Sequence, residues 1–182
     1  MSERNTILRS MHDLGAAAWF GGSLMGAVGL NGAASDVADA ADRARVSAAG
    51  WARWAPIQAA AIGVHAIGGL GLIFANKGRV SAQQGVGTNT VVKAALTAAA
   101  AGTTFYSGVL GGKIAKAGQV HATAATTPSQ ETPDEVASAQ KQLSMLQWVT
   151  PVLTGIIVIL GAQQGEQQRP TQILRGLAAK IG

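Results

Sequence analysis

Cysteine is absent from this chain, which excludes disulfides, thiol chemistry and any Cys-ligated zinc or iron–sulfur centre. Charge is sparse: 13% of residues are Asp, Glu, Lys or Arg, about half the ~25% of soluble domains. The long apolar stretches hold no Asp or Glu at all, so a carboxylate relay of the kind used by proton and cation pumps is not expected. Nor is there a P-loop or a nucleophile elbow. The glycines of Gly68-Gly-Leu-Gly71 follow no strand and read as helix-packing residues. The opening MSERNTILRS lacks an apolar core and a small-residue cleavage site, so no cleaved leader is expected. An enzyme is therefore the less favoured class.

What is present is apolar but small. Hydrophobic residues make up 48% of the 182, and Gly alone numbers 24, so mean hydropathy stays at only +0.23. Residues 14–35, 54–76, 94–112 and 142–165 carry no Asp, Glu, Lys or Arg. Each has about the ~20 residues that a helix needs to cross the hydrocarbon core. Surface helices of a soluble protein should carry a charged outer face, and these have none. The expected fold is all-α: an integral membrane four-helix bundle in one domain spanning 1–182. The spans are placed at about 12–34, 54–76, 91–112 and 143–165, with an outer loop at 113–141 and a cytoplasmic tail at 166–182.

Charge sets the expected orientation. Arg4, Arg9, Lys77, Arg79, Lys93, Arg169, Arg175 and Lys180 share one side with Glu3, Asp13 and Glu166, and that side holds the whole net charge of +5. Basic and acidic residues balance in the first and third loops. Both termini are therefore expected in the cytoplasm, and the pI near 10.1 needs no nucleic-acid partner. Trp51, Trp54 and Trp148 fall at the outer ends of their stretches, where indole suits the headgroup boundary.

In the loops, Ser35 to Ala49 reads as a short outer-surface helix with early acids and later bases. Ala122 to Pro133 reads as an irregular linker. Thr132-Pro-Asp-Glu135 reads as the start of the last helix, with Thr as cap and Pro at the first position. In the tail, Ile173, Leu174, Leu177 and Ile181 lie within one arc, which predicts an amphipathic C-terminal helix on the membrane surface or packed on the protein.

Between membrane helices, close packing of small residues and interhelical hydrogen bonds do the work. Gly15, Ala18, Gly22, Gly26, Gly29 and Ala33 share one arc of the first helix, so Gly15, Gly22, Gly26 and Gly29 are expected to pack against a neighbour within the chain. The predicted inward faces are Gln58, Ala61, His65, Gly69, Leu72 and Asn76 in the second helix, and Lys93, Thr97, Ala101, Thr104, Gly108 and Gly111 in the third. In the fourth they are Gln147, Thr150, Pro151, Thr154 and Gly161.

Three residues carry candidate chemistry. His65 lies near the middle of its stretch, where a polar group needs a partner. It reads either as a ligand for haem or copper or a proton-transfer step, or as a neutral imidazole bonded to Thr97, Thr104 or a backbone carbonyl. His12 is expected level with about Asn76, roughly 16 Å along the axis from His65 at 1.5 Å per residue, which would keep the two from sharing one iron. Lys93 is expected nearer the level of His12, as a snorkelling lysine or a site residue.

His12 followed by Trp19-Phe-Gly-Gly22 resembles the opening of the copper-resistance D-like membrane proteins. It is also similar to that of the membrane protoporphyrinogen oxidases of the haem pathway, whose third-helix lysine Lys93 could match. The resemblance covers about a dozen residues. It implies a four-helix membrane fold and the handling of haem b or copper through His12 and Lys93. Three functional expectations result. The first is an accessory or scaffold subunit that meets the lipid bilayer and a membrane partner or a second copy. The second is a haem- or copper-binding protein using His12 and His65, with His65 the metal candidate. A small transporter ranks last, for want of paired repeats or broken helices. The Ala and Gly content matches a GC-rich bacterial genome, which would put the chain in a bacterial cytoplasmic membrane.

Overall fold

The computed structural model describes residues 5–78 and 86–166, and the fold is mostly helical. Helix α1 (Thr6–Met25) runs through a five-residue π-helical segment, Gly26–Leu30, into α2 (Asn31–Ser35). Three long helices follow: α3 (Arg43–Ala75), α4 (Val86–Ala117) and α5 (Asp134–Glu166). Between α4 and α5, β1 (Ala122–Ala124) and β2 (Thr127–Pro128) pair antiparallel. The predicted tail helix lies outside the described residues.

The four long helices contact one another in a ring: α1 on α3, α3 on α4, α4 on α5, and α5 back on α1. The α1–α3 seam is the most intimate, and glycine is the reason. A β-carbon at Gly15 would sit 2.6 Å from the backbone O of Ala61 and N of His65, and one at Gly68 would sit 2.5 Å from the N of His12. At the same seam the rings of Trp54 and Trp51 lie over Gly22 and Gly26. These two tryptophans, expected at the headgroups, are therefore spent on helix packing, while Trp148 remains exposed. Gly29 lies off the seam: a β-carbon there would approach only Met25 of its own helix. Gly108 is likewise exposed, because the inward face of α4 drifts to Ser107, Leu110 and Ile114.

Two apolar clusters fill the interior. Ala16, Trp19, Ala100 and Ile157 meet at mid-height. Leu110, Ile114, Ala122, Val136 and Ala139 meet under the β1–β2 loop. That loop is expected from sequence as an irregular linker but folds over the end of the helices. Ala122 N donates to Ala40 O (3.1 Å), Arg43 Nη1 to Thr123 O (2.7 Å) and Gln140 Nε2 to Ala125 O (3.3 Å). The expected surface helix at 35–49 is not separate: from Arg43 onward it is the first part of α3. No Gly-Pro break divides the Ala-rich run there, so the helix continues. Thr132 does not cap α5; its hydroxyl donates back to His121 O, and the helix begins at Asp134, after Pro133.

In this same loop region Asp42 accepts from Arg45 Nε and from Gln119 Nε2, both at 2.8 Å. The Arg45 bond first, and the Gln119 bond second, pull the Asp42 carboxyl down to about 2.

The distribution of polarity is inverted relative to a water-soluble protein. Phe74, Phe105 and Ile159 are 73%, 76% and 68% exposed, while His65 is 2%, Asn31 6% and Thr154 0% exposed. By length and hydropathy, α3 and α5 qualify as membrane-crossing helices among the described residues. Of the other two helices expected to span, α1 carries Arg9, His12 and Asp13 in its first half, and α4 mixes its alanines with Gly and Thr.

Candidate functional site

The glycine seam decides which polar side chains meet. With Gly15 against Ala61 and Gly68 against Leu8 and His12, the antiparallel register sets His12 directly beside His65. Their ring centroids are 4.2 Å apart, tilted by 45°. This corrects the axial offset expected from sequence. That estimate aligned the ends of the charge-free stretches, whereas α1 is already helical from Thr6 and the glycine notches set the height.

Each imidazole has a defined hydrogen-bonding role. His65 Nδ1 lies 2.9 Å from the His12 carbonyl oxygen, which can only accept, so Nδ1 carries the proton. His65 Nε2 is then the acceptor for the Thr97 hydroxyl at 3.3 Å. Trp19 meets His65 edge-on at 6.3 Å and donates its Nε1–H to Thr104 Oγ1 at 3.1 Å. In His12, Nδ1 donates to Asp13 Oδ1 at 3.0 Å. Among the described residues the other nitrogen, Nε2, has no hydrogen-bond partner, and it lies beside Gly69.

Lys93 joins the same end from α4. It is buried, and its Nζ donates to Gln164 Oε1 at 2.9 Å. Gln164 Nε2 in turn donates to Thr90 Oγ1 at 3.3 Å. At α5, Lys93 Nζ and Asp13 Oδ1 lie 4.0 and 3.8 Å from where a Gly161 β-carbon would stand, at ordinary contact distance on either side of that position. His12, His65, Lys93 and Thr97 line a cavity of about 400 Å3 between α3 and α4. A second hollow of about 790 Å3 on the α1–α5 side shares Arg9, His12, Asp13 and Gly161.

The arrangement limits what could bind. A haem held between His12 and His65 does not fit, because rings already in contact at 4.2 Å leave no room for a macrocycle between them. His65, the residue singled out for metal, has both nitrogens engaged. No cluster of three or more His, Asp or Glu occurs among the described residues. The nitrogen that remains open is His12 Nε2.

The opposite end holds a polar centre that the sequence reading did not single out. Asn31 Nδ2 donates to Gln147 Oε1 at 2.8 Å, and its Oδ1 accepts from Ser47 Oγ at 2.7 Å and Trp51 Nε1 at 3.0 Å. The π-helical segment ends immediately before Asn31, and such wide turns re-aim the residues that follow. The available signal was a single Asn in an otherwise small and apolar run.

These features define a class: an α-helical protein with many exposed apolar side chains, polar groups buried among apolar clusters and a histidine–lysine cavity at one end. Comparison of the chain with protein-family models, curated proteins and solved structures gives no match, so the functional reading rests on the site.

Proposed function

We propose that this chain is a multi-pass integral membrane protein, a four-helix bundle with both termini in the cytoplasm, acting as a non-enzymatic accessory or scaffold subunit. The observation that carries the reading is the inverted polarity, with Phe74, Phe105 and Ile159 outside and Asn31, His65 and Thr154 inside. An apolar shell of this kind would be an aggregation liability in water, and in a bilayer it faces its own solvent. The small, weakly polar interface residues fit the way membrane helices associate. The proposed setting is a bacterial cytoplasmic membrane. Carbonate washing of membranes from expressing cells tests this: the chain stays in the pellet, and release into the supernatant overturns it. A C-terminal reporter active only outside the cytoplasm overturns the orientation.

A second reading, binding of haem b or copper, is favoured by the open Nε2 of His12 beside the cavity. His12 would supply the ligating nitrogen, and the bound group would supply redox chemistry. Lys93 would offer a cation to an acidic substituent. Detergent-purified protein is then expected to show a Soret band or bound copper, lost in His12→Ala. A colourless, metal-free preparation that takes up neither added haem nor copper overturns this reading.

A further inference from the structure

The neighbours α3 and α4 touch less extensively than any other adjacent pair of long helices, and the cleft of about 400 Å3 lies between them. This is within the range of small-ligand sites, roughly 300–1,000 Å3. Its walls are Ile62, Ala66 and Leu70 on one side and Ala94, Ala98 and Ala101 on the other. Alanine on the α4 wall leaves the width open.

The polar end of the cleft has two unmet demands. Among the described residues Lys93 has one hydrogen-bond partner, the neutral amide oxygen of Gln164, so an ammonium there keeps two N–H donors, and Asp13, across the Gly161 position, faces it without ion-pair contact. A buried cation without a counter-ion in contact is costly. His12, only 6% exposed, spends Nδ1 on Asp13 and leaves Nε2 as a lone-pair acceptor with no donor among the described residues. Among the described residues the charged groups lining this end are Arg9, Lys93 and Asp13; Asp13 is hydrogen-bonded to His12, and Arg9 is engaged elsewhere. The complement to this set has an apolar tail, an anion for Lys93 and a hydroxyl to donate to His12 Nε2.

We propose that the α3–α4 cleft is a binding site for an anionic phospholipid whose headgroup carries free hydroxyls, the phosphatidylglycerol class. One acyl chain lies between Ile62, Leu70 and Ala98, the phosphodiester meets Lys93, and a headgroup hydroxyl donates to His12 Nε2. The inference rests on the membrane reading above. It requires no covalent step.

The test is native mass spectrometry of the full chain in detergent, titrated with three lipids. These are phosphatidylglycerol, phosphatidylmethanol (the same phosphodiester without hydroxyls) and phosphatidylcholine. The wild type is expected to retain one phosphatidylglycerol about tenfold more tightly than phosphatidylcholine, with phosphatidylmethanol between them. Lys93→Met removes the preference over phosphatidylcholine, and His12→Phe removes the preference over phosphatidylmethanol. Ala98→Leu, at an exposed position, fills the cleft and weakens phosphatidylglycerol about fivefold with both polar groups intact; it carries the test if Lys93→Met does not fold. Equal binding of all three lipids to wild type, or unchanged binding in Ala98→Leu, overturns the proposal, as does a Soret band showing the cleft filled by haem. A chain that survives carbonate washing yet shows equal lipid binding overturns the lipid site alone. Release by carbonate overturns the membrane reading itself.

Discussion

The two ends of the helical ring hold polar groups of opposite character. At one end Asn31 makes three bonds: its oxygen accepts from Ser47 and Trp51, filling both lone pairs, and its amide donates to Gln147. Three elements are tied through one side chain. At the other end His65 is satisfied, but among the described residues His12 keeps an open nitrogen and Lys93 has only a neutral hydrogen-bond partner. A buried polar group with its bonds made holds a fold together; one with bonds left over at the wall of a cavity is a candidate site. The difference separates a structural clamp from a binding end, although both draw on α3 and α5.

The comparison can be broken most severely at what the two ends share, the glycine seam. Gly15→Val is expected to push α1 off α3, because its new side chain would meet the backbone of Ala61 and His65. The expected outcome is loss of the folded state, since overpacking costs about 1–3 kcal/mol even where side chains can yield, and backbone cannot. Gly21→Ala, with open space around its β-carbon, should fold normally. Detergent size-exclusion profiles and thermal unfolding distinguish the pair. A well-folded Gly15→Val would mean that the register holding His12 against His65 is not set by this seam.

A more discriminating pair compares the two ends directly. Asn31→Leu strands Gln147, Ser47 and Trp51, and should cost about 2–4 kcal/mol on unfolding in lipid-free detergent. Lys93→Met removes one bond to Gln164 and relieves a buried charge, so its change should stay within about 1 kcal/mol. Equal destabilisation would erase the distinction between clamp and site.

The smallest effect concerns the loop-covered end and pH. Asp42, held near 2 by Arg45 and Gln119, has a folded-state pKa below the ~3.9 of an unfolded Asp. Its contribution to stability is complete above about pH 4 and is lost as pH falls through about 2. Solvent exposure keeps that contribution small. Asp42→Asn should flatten the acid limb of an unfolding curve over this window and leave neutral-pH stability nearly unchanged. An identical acid limb in both proteins would remove Asp42 from the account.

Several features were legible in the chain because they depend on neighbours a few positions away. The uncharged runs, their helical period and the inward placing of Gln58, Ala61, His65, Thr150 and Thr154 follow from side-chain type and the 3.6-residue turn. Gly15, Gly22 and Gly26 could be assigned to one face for the same reason, although Gly29, on the same arc, falls outside the contact. Where the π-helical segment widens the turn after Met25, the arc drawn at constant pitch no longer describes which residues face inward.

Charge boundaries did not give the height of one helix against another. His12 stands at the edge of a charge-free run, and charge alone places it level with Asn76. The meshing of Gly15 with Ala61 and of Gly68 with His12 put it against His65 instead. Asn31 looked like an isolated polar residue until Ser47, Trp51 and Gln147 came from two other helices to meet it.

The sequence by itself determined that this protein is helical, where its small and polar faces lie, and that its surface is apolar. Tertiary structure decided the register of α1 on α3, and with it the contact of the two histidines, the open nitrogen of His12 and the cleft beside Lys93. The physical reason is that residue spacing determines a face within one helix. The height at which two helices meet depends on which notches accept which side chains.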